Sequence, residues 1–331
     1  FRRRLFKTTP RIYSFGLISL GAIAVMGFLS LKGIVFERVH KDPMELALIE
    51  DAEWNGNEYA GKLLPSGELD LTIIGDPNTE PDILLWGDSH ALVLTDVIDQ
   101  LGKERGRSVY VAARGGVPPL RGLIREDKFE LGQLGDIRWN DAVWEFAQEQ
   151  NIKHIFLVAC WSASCGRGDV QFGEQSSKLV IKPNPLNAGE NQNVDGAIDL
   201  VASNLSKLII DCEAAGIELT IMRQVPEQPN QTFALINYVN HRLNWISPSV
   251  EPLSKNSYLK RMSPEAAVFE VMIRRHASIL GPLVGSFFQT GELGLFDGAI
   301  PLYKDSSHLS RSGAHFYFRS ILDEALFSVD L

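Results

Sequence analysis

The sequence predicts an α/β fold in which helices cover both faces of a mostly parallel sheet. Four apolar runs are typical of buried strands: residues 83–86, 108–113, 154–160 and 217–222. Between them, three stretches have the periodicity of helices: residues 90–105, 139–150 and 194–215. Strands that are apolar throughout and alternate with helices favour parallel pairing, because both faces of such a sheet are buried.

The N-terminal part of the chain differs in character from this domain. Residues 12–31 form a run of 20 without a charged side chain, long enough to cross a hydrocarbon core of ~30 Å. Only basic charges precede the run, so the positive-inside rule places that end in the cytoplasm. A buried helix is the alternative. The sequence therefore predicts a transmembrane helix within residues 1–36, a connecting segment over 37–80 and an extracytoplasmic domain over 81–331.

Charge and cysteine content exclude some classes of function. The 331-residue chain has a net charge of −9, and residues 1–41 carry eight basic side chains against one acidic one, which leaves −16 on the rest. So acidic a domain is a poor partner for nucleic acid. No C-x-x-C pair and no histidine cluster with metal spacing occurs, so no metal site is expected. Cys160 and Cys165 could form a local disulfide, or Cys160 could be a strand residue.

Two short polar motifs, one at each end of the predicted domain, indicate the chemistry. Gly-Asp-Ser-His at residues 87–90 follows the first apolar strand, and Asp-Ser-Ser-His at residues 305–308 precedes the last helical stretch. Each motif alone has a simpler interpretation, because Asp and Ser favour helix N-caps and polar turns. Together they supply a nucleophile (Ser89), a general base (His308) and an orienting acid (Asp305), the constellation of serine esterases and acyltransferases.

These motifs resemble those of the SGNH hydrolase superfamily, which is named after four blocks containing Ser, Gly, Asn and His. The first block corresponds to residues 87–89, the last to residues 305–308, and the glycine block to residues 114–120. The resemblance implies a three-layer, flavodoxin-like α/β/α domain. It also implies an oxyanion hole formed by the backbone N–H groups of Ser89 and Gly116. A glycine followed by two prolines is also an ordinary turn.

The third block departs from the family pattern. Gly-x-Asn-Asp is expected after the third strand, but residues 158–162 are Val-Ala-Cys-Trp-Ser, and no asparagine offers a side-chain amide. The oxyanion hole would then have two donors, or take another from nearby. Trp161, Ser162 and Arg114 are candidates for the substrate cleft. Trp161 is alternatively a core residue.

Four features together resemble one group: Trp-Ser after the third strand, Gly-Val-Pro-Pro-Leu at residues 116–120, Gly-Asp-Ser-His at residues 87–90 and the preceding membrane helix. This group is the extracytoplasmic SGNH domains fused behind acyltransferase-3 membrane domains, which O-acetylate bacterial surface glycans such as lipopolysaccharide O-antigen. The resemblance implies that residues 1–36 are the tail of a larger membrane domain and that the SGNH domain lies in the periplasm, at the inner membrane. It implies a glycan acceptor, an acetyl group that arrives from acetyl-CoA through the membrane domain, and no cofactor in this domain. An exported carbohydrate esterase or lipase, and a glycan-binding module with a vestigial triad, are the alternatives.

Overall fold

The chain separates into two compact units, Phe1–Glu50 and Asp51–Leu331. In the first unit residues 19–28 are helical, and the rest of the predicted span at 12–31 lies outside the described residues. Within the part of the chain that is described, no helix combines the length and apolarity needed to cross a membrane. The computed structural model describes residues 19–28, 51, 54–125, 130–164, 181–183, 194–227, 254–256, 258, 268–269, 278–280, 287, 294–297, 300–305 and 307–327.

The second unit alternates strands with helices. Its described strands are β1 (Lys62–Leu63), β2 (Leu69–Asp70), β3 (Thr72–Gly75), β4 (Ile83–Gly87), β5 (Ser108–Ala113), β6 (Leu123–Arg125), β7 (His154–Val158), β8 (Ile181–Pro183), β9 (Glu218–Met222), β10 (Ser278–Leu280), β11 (Phe296–Asp297) and β12 (Ile300–Pro301). A short 3-10 helix spans Asn57–Tyr59, and the α-helices of this unit with four or more described residues are α1 (Ser89–Leu92), α2 (Thr95–Arg105), α3 (Glu130–Glu149), α4 (Trp161–Ser164), α5 (Val194–Ala215) and α6 (Arg311–Phe327).

Six of the described strands form the central sheet, in the order β10-β9-β7-β4-β5-β3. All neighbouring pairs are parallel except β3 and β5, which are antiparallel. The predicted α/β fold with a mostly parallel sheet is confirmed. The strand β3 lies within residues 37–80, which the sequence analysis assigned to a connecting segment. The sequence did not indicate this strand because four residues are too few for a strand periodicity to be recognised.

The strand order creates a switch point beside β4. The chain passes from β4 to β5 on one side and then returns to β7 on the other side of β4. In open α/β sheets, ligands bind in the crevice that such a reversal leaves at the carboxyl ends of the strands. The residues that follow β4 and β7 therefore occupy the position where a site is expected.

Alternate residues of the strands point into two separate apolar cores, one on each face of the sheet. On β4, Ile83 and Leu85 pack in the core that contains α2 and α6. Leu84 and Trp86 pack in the core that contains α3 and α5. Helices therefore cover both faces, which is the three-layer arrangement.

The carboxyl end of β4 leaves no room for a side chain at Gly87. A Cβ at this position would lie 2.0 Å from the carbonyl oxygen of Val158 and 2.6 Å from the Cβ of Ala91. The glycine of the first motif is therefore required by the close approach of β7 and α1.

We expect Gly87→Ala to lower the free energy of unfolding by about 2 kcal/mol or more, because the methyl group overlaps a backbone oxygen. Gly135→Ala is the matched control, since a Cβ there meets nothing within 4 Å and alanine raises helix propensity. Urea unfolding followed by circular dichroism measures both variants. Wild-type stability of Gly87→Ala would contradict the close approach of β4 and β7.

Candidate active site

The nucleophile turn is built around the buried carboxylate of Asp88. This residue caps α1, because its Oδ1 accepts the backbone N–H of His90 at 2.8 Å. Its Oδ2 accepts the backbone N–H of Cys160 at 2.9 Å. The capping interpretation weighed from the sequence therefore applies to Asp88. The same side chain also ties the turn after β4 to the loop after β7, and so fixes the position of Ser89.

Ser89, His308 and Asp305 are hydrogen-bonded in series. The Nε2 of His308 lies 2.8 Å from the Oγ of Ser89. The Nδ1 of His308 lies 2.8 Å from Oδ2 and 3.0 Å from Oδ1 of Asp305. The structure thus brings together the residues that the sequence grouped across 219 positions of chain, in the geometry of a nucleophile, a base and an orienting acid.

The acid is held ionised by its own loop. The backbone N–H groups of Ser307 and His308 both donate to Oδ1 of Asp305 at 2.8 Å. Burial raises the pKa of Asp305, but the hydrogen bond and charge of His308, together with these two N–H groups, outweigh it and hold the pKa below its ordinary value. An ionised Asp305 accepts a hydrogen bond from the Nδ1–H of His308, so the proton stays on Nδ1 and Nε2 faces Ser89 as an acceptor.

A second histidine supports the first. The ring centroid of His90 lies 4.6 Å from that of His308, with the planes inclined by 40°, and His90 is only 4% exposed. The structure therefore buries His90 against the imidazole of His308.

The glycine block forms a turn beside the nucleophile. The backbone N–H of Arg114 donates to the carbonyl of Gly87 at 3.0 Å, and that of Val117 donates to the carbonyl of Arg114 at 3.0 Å. Gly116 has a φ of 68°, a conformation that glycine adopts without strain. The side chain of Arg114 is exposed, and its guanidinium lies 5.9 Å from the ring centre of Trp139, a cation–π contact.

The third block lies in the interior, which corrects the placement of Trp161 and Ser162 in the cleft. Trp161 is fully buried and its indole N–H donates to the carbonyl of Met222 at 2.7 Å. Ser162 is 5% exposed, and its hydroxyl donates to Glu227 at 2.7 Å. Trp161 is therefore a core residue, which was the alternative interpretation of the sequence. The helix α4 begins at Trp161, and both residues form hydrogen bonds with residues at or just after the end of β9.

A buried polar cluster behind this block was not found from the sequence. It consists of Cys160, Ser162, Gln224 and Glu227, whose side chains meet at the Glu227 carboxylate. The backbone N–H of Ser162 donates to Gln224 at 2.7 Å. Gln224 and Glu227 fall in a stretch without hydrophobic period, so no local pattern indicated them. Among the residues that can be described, no group of three or more His, Cys, Asp or Glu could hold a metal ion.

The depressed pKa of Asp305 makes a stability contribution that depends on pH. Its pKa in the folded state lies below its ordinary value, which is about 3.9. The contribution is therefore full above about pH 4 and decreases as the pH falls towards the folded-state pKa. We expect Asp305→Asn to lower the melting temperature at neutral pH and the difference from wild type to shrink below about pH 4. Scanning calorimetry between pH 7 and pH 3 measures this, and a difference that stays constant over that range would contradict it.

Solved structures of other proteins are similar to this chain to different degrees. The periplasmic domain of a lipopolysaccharide acetyltransferase from Salmonella ser. Paratyphi A superposes with a TM-score of 0.51 and 16% identity, over 74% of this chain and 84% of that one. A putative acylhydrolase from Bacteroides fragilis superposes with a TM-score of 0.41 and 11% identity, over 76% of this chain and 88% of that one. At 16% identity the first likeness shows the fold alone, and no conclusion rests on the second.

Sequence comparison identifies the family. No curated protein sequence matches the chain. The model of one protein family, described as the SGNH domain fused to AT3 domains, matches residues 57–323. This range covers most of the chain and includes Ser89, Asp305 and His308. The chain therefore belongs to the family of SGNH domains that are fused to AT3 domains.

Proposed function

We propose that this domain is an O-acyltransferase that transfers an acyl group, acetyl in the simplest case, to a hydroxyl of a bacterial surface glycan. One observation carries the proposal: Ser89, His308 and Asp305 form an uninterrupted series of hydrogen bonds at the carboxyl edge of the sheet. An isolated serine hydroxyl is a weak nucleophile, and an adjacent oriented imidazole is what activates it.

In the first half of the reaction, Ser89 Oγ attacks the acyl carbon of the donor and His308 Nε2 takes the hydroxyl proton. Asp305 holds the Nδ1–H tautomer and stabilises the imidazolium that forms. The tetrahedral intermediate collapses, His308 returns the proton to the leaving group, and Ser89 remains as an acyl ester. No group beyond the three side chains and an oxyanion site is required.

In the second half, a sugar hydroxyl replaces the leaving group. His308 Nε2 removes its proton, the sugar oxygen attacks the acyl carbon, and Ser89 leaves with the proton that His308 holds. Water in the place of the sugar gives hydrolysis by the same steps. The choice between the two acceptors therefore depends on what binds in front of Ser89, while the triad is common to both.

The negative oxygen of the intermediate needs hydrogen-bond donors. Within the described part of the chain, the backbone N–H of Ser89 has no acceptor, so it is available to an oxyanion. Gly116 is the proposed second donor, because its block turns back onto the end of β4 through the hydrogen bond from Arg114 to Gly87. The indole of Trp161 is not a third donor in this scheme, since its N–H is already bonded to Met222.

Family membership supports the cellular setting. SGNH domains of this family are fused to AT3 domains, so we propose that such a membrane acyltransferase domain in the same protein delivers the acyl group from acetyl-CoA. In this scheme the segment within residues 1–36 crosses the bacterial inner membrane and the SGNH domain lies in the periplasm. The acidic charge of residues 42–331 suits a glycan partner better than a nucleic acid.

An exported carbohydrate esterase is the second candidate. It is favoured by the self-contained triad, which needs no residue from a membrane domain to activate Ser89. The two functions differ in their response to the acceptor. An esterase hydrolyses an aryl acetate rapidly without glycan, whereas a transferase does so slowly and is accelerated by the acceptor sugar.

Variants of the triad test the chemistry common to both candidates. We expect Ser89→Ala to abolish O-acylation in cells and labelling by a serine-directed fluorophosphonate, while leaving the melting temperature near that of wild type. His308→Ala should be as severe, and Asp305→Asn milder, because an orienting acid is often worth less than the nucleophile or the base. The losses should not add in double variants, since the three residues act as a unit. Wild-type glycan O-acylation by Ser89→Ala would instead indicate a binding or delivery module.

A variant of Gly116 tests the second oxyanion donor. We expect Gly116→Ala to reduce the rate roughly 10²–10³-fold, as the loss of one donor typically does, because a side chain at positive φ displaces the turn. Gly115→Ala is the matched control, since a Cβ there meets nothing within 4 Å. Kinetics of fluorophosphonate labelling measure both variants, with melting temperatures to separate unfolding from a lost donor. Full activity of Gly116→Ala would place the second donor elsewhere.

A further inference from the structure

The loop that carries Asp305 and His308 closes on itself. The backbone N–H of Lys304 donates to the carbonyl of His308 at 2.9 Å, and that of Ser310 donates to Leu302 at 3.1 Å. These bonds fix the shape of the loop, but they do not fix its distance from Ser89. On one side the loop is held by Tyr303, whose hydroxyl donates to the carbonyl of Pro226 at 2.9 Å, and on the other side the chain continues into α6.

The first turn of α6 is held by one carboxylate of α2. Arg311 Nη2 lies 2.5 Å from Oδ1 of Asp96, and His315 Nε2 lies 2.7 Å from its Oδ2. Arg311 and His315 are four residues apart and so lie on the same face of the helix. Gln100, one turn along α2, also donates to Asp96 at 3.1 Å.

This carboxylate is buried and charged. The Asp96 side chain is 11% exposed. Burial raises its pKa, but the hydrogen bonds from His315 and Arg311 and their charges outweigh burial and lower the pKa of Asp96 to about 2. Removing the partners of a buried carboxylate leaves an uncompensated charge and strongly destabilises the fold. The protein is therefore most stable when α2 and α6 lie at the distance that keeps this contact intact.

The contact between Asp96 and Arg311 joins two segments that each lie close in sequence to one half of the triad. Asp96 follows Ser89 by seven residues, and α2 continues from α1 without a loop, because Leu94 donates to Ala91 and Ile98 donates to Leu94. Arg311 follows His308 by three residues. The link through Asp96 is therefore a short, rigid path between the nucleophile and its base.

Two further ion pairs join α2 and α6 far from the triad. Arg319 contacts Glu104 at 2.6 Å, and Arg105 contacts Asp323. The side chains of Glu104 and Arg319 are 54% and 39% exposed, and exposed pairs of this kind contribute ~0–1 kcal/mol. They belong to the same helix pair and so provide a matched control for Asp96.

We infer that Asp96 is a positioning residue for the triad: it holds the first turn of α6 against α2 and thereby sets the distance between His308 and Ser89. This inference rests on the proposed function, because it assigns Asp96 a role in the activation of Ser89. A displacement of reacting groups by ~1 Å can cost 10²-fold in rate, so the loss of this contact has an effect on reactivity beyond its effect on stability.

The experiment compares Asp96→Asn and Asp96→Ala with Glu104→Gln in the full chain. The readouts are the maximal rate and half-saturating concentration of Ser89 labelling by a fluorophosphonate, measured well below each melting temperature. We expect both Asp96 variants to lower the maximal rate roughly 10–10²-fold with little change in half-saturation. Glu104→Gln should label at the wild-type rate. His315→Gln provides the same comparison if Asp96→Ala does not fold.

The same Asp96 change made in a triad variant separates a loss of positioning from a general loss of stability. In Asp305→Asn, which should still label at a measurable rate, the Asp96→Asn change should add less than a two-fold loss, because the imidazole is no longer held in the productive orientation that Asp96 supports. An equal additional loss in that background would overturn the inference, as would wild-type labelling of both Asp96 variants. Either result leaves the proposed function intact as long as Ser89→Ala abolishes labelling. Activity that survives Ser89→Ala would instead overturn the proposed function and the inference together.

Discussion

The close junction between the carboxyl ends of β4 and β7 is the constraint on which the site depends. Gly87 allows the approach because a Cβ there would overlap the Val158 carbonyl. The Asp88 carboxylate then bridges the two strand ends through the N–H groups of His90 and Cys160. Burying a carboxylate is costly unless it is hydrogen-bonded, so these two bonds fix the turn in one geometry and direct Ser89 into the crevice.

The other parts of the site are connected to this junction directly or through neighbouring elements. The glycine block turns back onto Gly87, and His90 packs against His308. The loop with Asp305 and His308 is internally closed and attached to α6, which packs on α2 over the same core. The site is therefore assembled from separate segments of the chain, and its geometry depends on the contacts between them.

The third block has a structural role here, whereas the family pattern would place an oxyanion-hole asparagine at this position. Where an asparagine amide would face an oxyanion, Trp161 and Ser162 point inward and join β7 to β9. The carbonyl of Met222 satisfies the indole, and Gln224 and Glu227 satisfy Ser162. A buried polar cluster of this kind fixes the loop only if all its members are satisfied. The loop thus supports the junction with Asp88 through the backbone of Cys160.

The sequence by itself determined the fold class, four central strands and the two motifs that form the triad. Buried parallel strands must be apolar along their length, so they can be recognised as apolar runs in the sequence. A serine turn and an Asp–His loop each consist of neighbouring residues, so they can be recognised as short motifs. The interior position of Trp161, the cluster around Glu227, the contact of His90 with His308 and the Asp96 link were decided only by the tertiary structure. Each joins residues that are distant in the chain or on different elements. Which of many polar side chains meet depends on how the sheet brings its helices together, and no local pattern records that.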